Sequence, residues 1–363
     1  MKRVRVLLIA PSMRIVGGQS IQANRLRHYI GKRPEVDLSF LCFDAPLPAV
    51  IGNIPLVRTI LRSLIYWVSL FARAWRYEVL HVFTASYWSY TLWSIPALLA
   101  ARLYRKKMVL NYRDGRAEDH LRHWRSAALT IRKMDAVVAP SGYLCDVFAQ
   151  FGIPCRSIYN VIDRENFVYR RRSELRPEFL HNRGMEPLYN IPTTLRAFAL
   201  VQEKYPGATL TMLGNGPMRA ELEQLATTLK LRNTKFAGSV PNSQMAHWLD
   251  QADIYLTTPD IDCMPGSLLE CYASGLPVVA TKAGGIPYIA ADGETAMLAE
   301  CGDHNGVAEA ALRLLSDPPL VEKITATAYE QCRTRYAGEE IARQWAELYN
   351  ELVATGAGAA SAS

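Results

Sequence analysis

Short apolar segments alternate with amphipathic stretches along the first half of the chain. The apolar runs predict strands at 4–10, 36–43, 79–83, 107–111, 136–139 and 156–158. A helix is predicted from about Ser20 to Ile30, after a loop that contains Gly17 and Gly18. Strand, crossover helix and parallel strand in succession indicate a doubly wound α/β sheet.

The same rhythm starts again in the second half. Strands are predicted at 209–213, 234–237, 254–257 and 277–281, with helices at 217–229, 244–250 and 267–274 between or after them. We therefore expect an α/β protein of two Rossmann-like domains, 1–165 and 166–340, facing across a cleft. The junction between Asp163 and Asn190 has three consecutive arginines, 170–172, and few apolar residues, so it is predicted to be a linker.

The composition narrows the class of protein. At 363 residues the chain suits two domains. A net charge of +7 without a nucleic-acid-binding motif excludes nucleic acid as the expected partner and suits anionic phosphates or an acidic membrane. Seven cysteines without a Cys-x-x-Cys pair make a disulfide framework or zinc site unexpected and favour a cytoplasmic location. The apolar run at 4–10 is too short for a signal peptide, and none approaches the 18 residues of a membrane span.

The segment 253–287 carries the strongest candidate chemistry. A predicted strand ends in a polar loop that enters a helix at Gly266-Ser267, where free backbone N–H groups and the helix dipole favour a phosphate. Asp262 lies on the loop and Glu270 about one turn inside the helix, so both carboxylates can accept hydrogen bonds from sugar or ribose hydroxyls. A second glycine-rich loop, 283–285, follows the next strand and borders the same predicted pocket.

Here the sequence resembles the retaining GT-B glycosyltransferases of family 4. The family signature is Glu-x7-Glu in a glycine-rich loop and helix, followed by Gly-x-Pro-Val-Val-Ala. The matching residues occur in family order and span most of the chain: Gly17-Gly18, Val138-Ala139-Pro140-Ser141, Asn160-Val161-Ile162-Asp163 with Phe167, Gly214-Asn215-Gly216-Pro217, Asp262-x7-Glu270, Gly275-Leu276-Pro277-Val278-Val279-Ala280 and Gly284-Gly285-Ile286-Pro287.

The resemblance implies transfer from a nucleotide-diphosphate sugar, with a UDP-sugar expected, to an unidentified glycan or lipid-linked acceptor. It implies no cofactor and no metal. The implied donor-binding residues are Gly17, Gly18, Gly214, Gly216, Met264, Gly266, Ser267, Leu268 and Glu270. Glu270 would bind the ribose, Asp262 would contact the transferred sugar, and Arg183 would neutralise the diphosphate. Retention would follow a front-face route, in which the donor's phosphate oxygen takes the acceptor proton. The resemblance also implies that a final helix at 341–354 returns to the first domain, and we expect a disordered Gly/Ala/Ser tail at 355–363.

Departures from the family pattern leave an alternative open. Asp262 replaces the first signature Glu, and Cys263-Met264-Pro265 replaces Gly-Phe-Gly. The family's diphosphate-binding Lys is absent, since Tyr189 and Asn190 stand where it is expected after Arg183. The alternative function is a catalytically weak or inactive GT-B subunit that binds a sugar nucleotide. A GT-B epimerase is disfavoured, because the loop and helix motif is that of a transferase.

The residues that would contact the acceptor are harder to identify from the sequence than those that would bind the donor. The family often has a His after an N-domain strand, but Asn111 stands at that place. His81, His120 and His123 are the nearby candidates, and we select His120, beside Asp119, as the expected cleft residue with a catalytic role. Asp260-Ile261-Asp262 also spells Asp-x-Asp, a metal-binding motif of a different glycosyltransferase fold, but the two-domain pattern argues against that use.

The stretch 54–76 is apolar and aromatic on nearly all sides of a predicted helix. Its arginines, Arg58, Arg62, Arg73 and Arg76, fall within about 60° of one another at 100° per residue. Such a helix either packs between two neighbours of a Rossmann domain, which we favour, or lies in a membrane interface with its cations on phosphate headgroups. The second interpretation would place the protein on the inner face of the membrane.

Overall fold

The computed structural model describes residues 3–14, 17–48 and 54–360, with side chains as far as Thr355. The described chain forms two compact units. The N-terminal unit comprises residues up to 161 together with those from 338 onward, and the C-terminal unit comprises 162–337. The first boundary lies a few residues before the predicted position at 165, and the second just before the predicted position at 340.

The N-terminal unit is a parallel six-stranded sheet of order β2-β1-β3-β4-β5-β6 with helices between its strands. The strands are β1 Val4–Ala10, β2 Val36–Cys42, β3 Val79–Thr84, β4 Lys107–Tyr112, β5 Ala136–Ala139 and β6 Arg156–Ser157. The helices are α1 Gly18–Gly31, α2 Pro55–Ala74, α3 Ile95–Leu103, α4 Ala117–His123, α5 Arg125–Ile131 and α6 Gly142–Gln150. The central strands β3 and β4 were predictable because strands buried on both faces have largely apolar sequences.

The C-terminal unit repeats this architecture with the order β12-β11-β10-β7-β8-β9, again with parallel pairs. Its strands are β7 Glu178–Asn182, β8 Thr209–Leu213, β9 Thr234–Gly238, β10 Ile254–Thr257, β11 Val278–Thr281 and β12 Met297–Ala299. Its helices are α7 Ile191–Lys204, α8 Arg219–Thr228, α9 Met245–Gln251, α10 Gly266–Ser274, α11 His304–Ser316 and α12 Pro318–Thr334. The two units therefore have the two Rossmann-like sheets that the sequence predicts.

The last helix, α13 Gly338–Ala360, packs on α1 of the N-terminal unit. The Tyr349 hydroxyl lies 2.7 Å from Nδ1 of His81, and the Trp345 ring stacks on the same imidazole at 4.2 Å between centroids. Burial, with the charge of Arg113, lowers the pKa of His81 to about 3, so this histidine is a neutral anchor for α13. The helix assignment of α13 continues to Ala360, past residue 355, where the predicted disordered tail begins. Residues 361–363 lie outside the described part.

The segment predicted as a linker is instead part of the C-terminal unit. β7 lies between β10 and β8 in its sheet. Arg172 is buried and donates to the carbonyl oxygens of Ser274, Leu249 and Ala252, at 2.6, 2.9 and 3.1 Å. The linker prediction failed because a buried arginine whose Nη atoms donate to carbonyl groups looks, in sequence, like a solvated charge.

Helix α2 is not wedged between two neighbours. It buries only the narrow side formed by Ser63, Tyr66, Leu70 and Ala74. It is also the one helix among the described residues that is long and apolar enough, by length and composition, to cross a membrane. Helix α2 connects β2 to β3, and both of these strands pair with β1. It is therefore a crossover connection that lies on the N-terminal sheet rather than a separate membrane-spanning helix.

Candidate active site

Three loops meet at the carboxyl edge of the C-terminal sheet. Arg183 directly follows β7, and Asp262 lies in the loop that follows the adjacent strand β10. The N–H of Gly285, in the loop after β11, donates to the carbonyl oxygen of Asp262 at 2.8 Å. Open parallel sheets bind ligands at this edge, because the loops after neighbouring strands converge there.

Arg183 and Asp262 form a buried ion pair. Their side chains are only 13% and 8% exposed, and an Nη of Arg183 donates to a carboxylate oxygen of Asp262. The Tyr189 ring lies 4.1 Å from the guanidinium carbon, in a cation–π arrangement. The tyrosine at the place of the family's Lys thus supports the remaining cation, a role that the sequence alone does not reveal.

The surroundings of Arg183 keep its guanidinium in the charged form. Burial acts to lower the pKa of Arg183, but the charge of Asp262 more than offsets this and raises the pKa above its ordinary value. Within the described residues, Nε of Arg183 is buried without a hydrogen-bond partner. A buried guanidinium with an unused donor is suited to a second anionic oxygen, such as one from a diphosphate.

Helix α10 presents the predicted donor-binding residues. Pro265 is its N-cap residue in extended conformation, and the first turn contains Gly266, Ser267 and Leu268. Because the first N–H groups of a helix have no acceptor within it, this turn can bind phosphate oxygens. Met264 and Glu270 are both buried, Glu270 at 7% exposure, so its carboxylate is not on a solvated helix surface. Contact of both residues with a donor stays a prediction.

Gly214 and Gly216 have a packing role that the sequence did not predict. Gly214 has a φ of +119°, and a Cβ there would collide with the carbonyl oxygen of Arg183. A Cβ on Gly216 would lie 2.5 Å from the carbonyl oxygen of Met185. The N–H of Met185 donates to the carbonyl oxygen of Asn215 at 3.0 Å, so this loop locks the backbone that carries Arg183. Contact with a donor stays a prediction for both glycines.

Gly17 and Gly18 lie at the start of α1 in the N-terminal unit. Gly17 is the N-cap residue of α1, and its N–H and carbonyl oxygen both bond the Ser20 hydroxyl, at 3.0 and 2.9 Å. Among the described residues, a Cβ on either glycine would meet no atom within 4 Å. The fold itself does not require glycine here, which is consistent with the prediction that a ligand approaches this backbone closely.

The surroundings of Gly18 and Gly214 differ, so an alanine substitution should have different effects at the two positions. Gly18→Ala should leave thermal stability nearly unchanged, within about 1 kcal/mol. If a donor approaches this backbone as predicted, the added methyl group should lower donor affinity. Gly214→Ala should destabilise the chain by about 1–3 kcal/mol through strained backbone and displacement of Arg183. Thermal melts and nucleotide titrations of both variants provide the check. A Gly18→Ala variant with unaltered donor affinity would remove Gly18 from the site.

His120 differs from its predicted environment. Its imidazole is fully buried in the N-terminal unit, with Nδ1 2.9 Å from the Tyr112 hydroxyl and Tyr87, Tyr90 and Trp124 around the ring. Burial lowers its pKa to about 4, against the opposing charges of Asp114 and Asp119. The imidazole is thus buried, and its Nε2, like Nε of Arg183, has no hydrogen-bond partner among the described residues. The catalytic role of His120 stays a prediction. His123 is exposed and paired with Asp119.

The two carboxylates of the Asp-x-Asp motif do not share a partner. Asp260 accepts from the side-chain amide of Asn190 at 2.8 Å, whereas Asp262 pairs with Arg183. Among the described residues there is no group of three or more His, Cys, Asp or Glu side chains arranged to hold a metal ion. The two carboxylates thus serve different partners in this unit.

The chain matches two sequence families in succession. Residues 16–166 match the family described as "Glycosyltransferase Family 4", and residues 165–331 match "Glycosyl transferases group 1". N-acetyl-alpha-D-glucosaminyl L-malate synthase of Bacillus anthracis is 27% identical over 236 residues, 61% of each chain. The lipopolysaccharide core biosynthesis glycosyltransferase LpsD of Rhizobium meliloti is 30% identical over 161 residues, 44% of this chain and 45% of that protein. The chain thus aligns with about half of these relatives' lengths.

Solved structures share the fold over nearly the full length. HepE of Anabaena, in complex with UDP and glucose, has a TM-score of 0.77 and 17% identity, covering 96% of this chain and 100% of that one. Sucrose-phosphate synthase of Thermosynechococcus elongatus has a TM-score of 0.79 and 18% identity, covering 97% and 100%. With both halves matched in family order and the fold shared, the chain belongs to the GT-B glycosyltransferases of the family 4, or group 1, type.

Proposed function

We propose that the protein is a retaining glycosyltransferase that moves a sugar from a UDP-sugar to a glycan or lipid-linked acceptor. The observation that carries the proposal is the buried Arg183, whose Nε is unused beside the loop that enters α10. A fixed cation next to a helix N-terminus is suited to the leaving diphosphate. HepE, which shares the fold, is also described in complex with UDP-glucose, and this supports a uridine donor.

In the proposed reaction the glycosidic C–O bond of the donor breaks, and the acceptor oxygen forms the new bond on the same face of the sugar. The acceptor proton passes to the departing phosphate oxygen. Asp262 is held in an ion pair with Arg183 rather than presented as a free nucleophile, which supports this front-face route over a covalent intermediate. The protein's contribution is then positioning and charge stabilisation of the leaving group.

A second candidate function is a GT-B subunit that binds a sugar nucleotide with little or no turnover. Its support is that the place of the second family cation is occupied by Tyr189, which packs on Arg183, and by Asn190, which bonds Asp260. One cation fewer at the diphosphate would reduce stabilisation of the leaving group.

Binding and turnover separate the two functions. Melting of the purified chain with UDP-, GDP-, ADP- and dTDP-sugars should show the largest stabilisation with a UDP-sugar, about 2.7 kcal/mol at one hundred times the Kd. Release of free UDP, and a product with the anomeric configuration of the donor, would then support the transferase. Stabilisation without UDP release would support the binding subunit. No stabilisation by any of the four would contradict both.

We expect transfer to persist in excess EDTA. Asp260 and Asp262 have separate partners, and Arg183 with the α10 N-terminus supplies positive charge to the diphosphate without an ion. The measurement is UDP release with EDTA, with and without added Mn²⁺. Complete loss in EDTA that manganese restores would make the two aspartates metal ligands and contradict the proposed placement of the donor.

A further inference from the structure

Helix α2 presents an apolar surface to solvent where a surface helix normally has polar residues. At 100° per residue, the side opposite its buried stripe runs from Trp67 to Ile65 over about 160° and carries only apolar residues. We name five exposed residues of this side the apolar α2 face: Val57, Ile60, Leu64, Trp67 and Val68. Val68 and Ile60 are 70% and 51% exposed.

The neighbouring helix extends this surface. α3 packs beside α2, where Trp67 donates to the carbonyl oxygen of Leu92 at 3.2 Å. On α3, Leu99 and Leu103 are exposed at 58% and 64%, one helical turn apart and therefore on the same side of the helix. Several large apolar side chains on adjacent helices make a patch of the kind that marks an interaction surface.

The charges beside the apolar α2 face identify its partner. Arg58, Arg62, Arg73 and Arg76 border that face on one side, and residues 54–77 contain no Asp or Glu. A second copy docked by the same face would bring two cationic stripes together, which like-charge repulsion disfavours. Anionic lipid headgroups above an apolar acyl region match both features, and Trp67 is typical of the boundary between them.

The helix is arranged to lie along a bilayer. Ser63, Tyr66, Leu70 and Ala74 hold it on the N-terminal sheet, so only its outer side is available to lipid. We propose that the apolar α2 face and its arginine stripe bind the surface of an anionic lipid bilayer, with the helix axis in the membrane plane. Because α2 follows β2, its amino end lies toward the carboxyl edge of that sheet, where, on the proposed function, a lipid-linked acceptor would enter.

The test is co-sedimentation of the full chain with vesicles, in the absence of donor and acceptor. At low salt the protein should pellet with vesicles of phosphatidylcholine and phosphatidylglycerol. High salt, or vesicles of phosphatidylcholine alone, should lower the pelleted fraction. Leu64→Glu/Val68→Glu and Arg58→Glu/Arg62→Glu should each lower partitioning by at least about tenfold. Controls in the C-terminal unit are Val168→Glu, at an exposed apolar position, and Arg313→Glu/Arg333→Glu, which makes the same change of charge at two exposed arginines, whereas Arg58 and Arg62 are half-buried.

Two readouts keep the outcome independent of transferase activity and of mutant folding. Brominated lipids should quench the tryptophan fluorescence of the unmodified chain, because Trp67 lies in the proposed interface. Sedimentation equilibrium without lipid should show a monomer. Wild-type protein that stays in the supernatant at low salt overturns the proposal, as does an equal loss of binding in the controls. A dimer that Leu64→Glu/Val68→Glu dissociates, with no vesicle binding, would assign the face to a second copy and also overturn it.

Discussion

Glu270→Gln is expected to lower the affinity for a nucleotide-diphosphate sugar by roughly 100-fold while the chain stays folded. Glu270 is buried in the first half of α10, behind the turn proposed to bind phosphate. A carboxylate there can accept two charge-assisted hydrogen bonds from a ribose, each contributing about 1.5–3 kcal/mol. Glutamine keeps the side-chain volume and removes the charge, so the change reports binding rather than a cavity. Isothermal titration with UDP measures it.

The matched control is Glu294→Gln, which removes the same charge from an exposed position in the loop before β12. Its affinity for UDP should equal that of the wild type. If folded Glu270→Gln protein also binds UDP with wild-type affinity, Glu270 does not contact the nucleotide, and its burial has a structural origin.

The order of strands and helices could be predicted because it depends on local patterns. The strand β5 is a continuous apolar run, and β1 is one except for Arg5; the predicted bounds of both agree with the structure. β7 has no such run, because it contains Glu178, His181 and Asn182. His181 is fully buried and its Nδ1 lies 3.0 Å from the carbonyl oxygen of Leu256, a tertiary contact that a periodicity argument does not detect.

The site could be predicted as a set of residues but not as a set of contacts. The glycine-rich loops and the Asp262–Glu270 spacing are contiguous in sequence, so they were identifiable. The pairing of Arg183 with Asp262 joins positions 79 residues apart, and the packing of Gly214 on Arg183 is equally non-local. For α2, the sequence shows a broad apolar surface, but only the tertiary structure shows which side is covered.

Arg183 is expected to have two separable roles, one in stability through its ion pair with Asp262 and one in turnover. The second large expected effect concerns both roles. The buried pair with Asp262 means that Arg183→Met leaves an uncompensated carboxylate, which should destabilise the chain by about 3–5 kcal/mol. Replacing both partners, as Arg183→Met/Asp262→Leu, removes that charge and should recover most of the stability, because an apolar pair can replace a buried ion pair at little cost. Thermal melts of the single and double variants measure this. Arg196→Met, at an exposed arginine on α7, is the control and should melt like the wild type.

Turnover should not recover with stability. Negative charge on the leaving diphosphate grows in the transition state, so loss of the Arg183 cation should lower kcat by about 100-fold or more, beyond any rise in KM. The stable double variant is the suitable enzyme for this measurement, and Asp262→Leu alone, which keeps the cation, shows how much of the loss belongs to Asp262. If the double variant is slower than Asp262→Leu only through a raised KM, Arg183 holds the donor without stabilising its departure. If the double variant is as unstable as Arg183→Met, the ion pair is not the source of the stability effect.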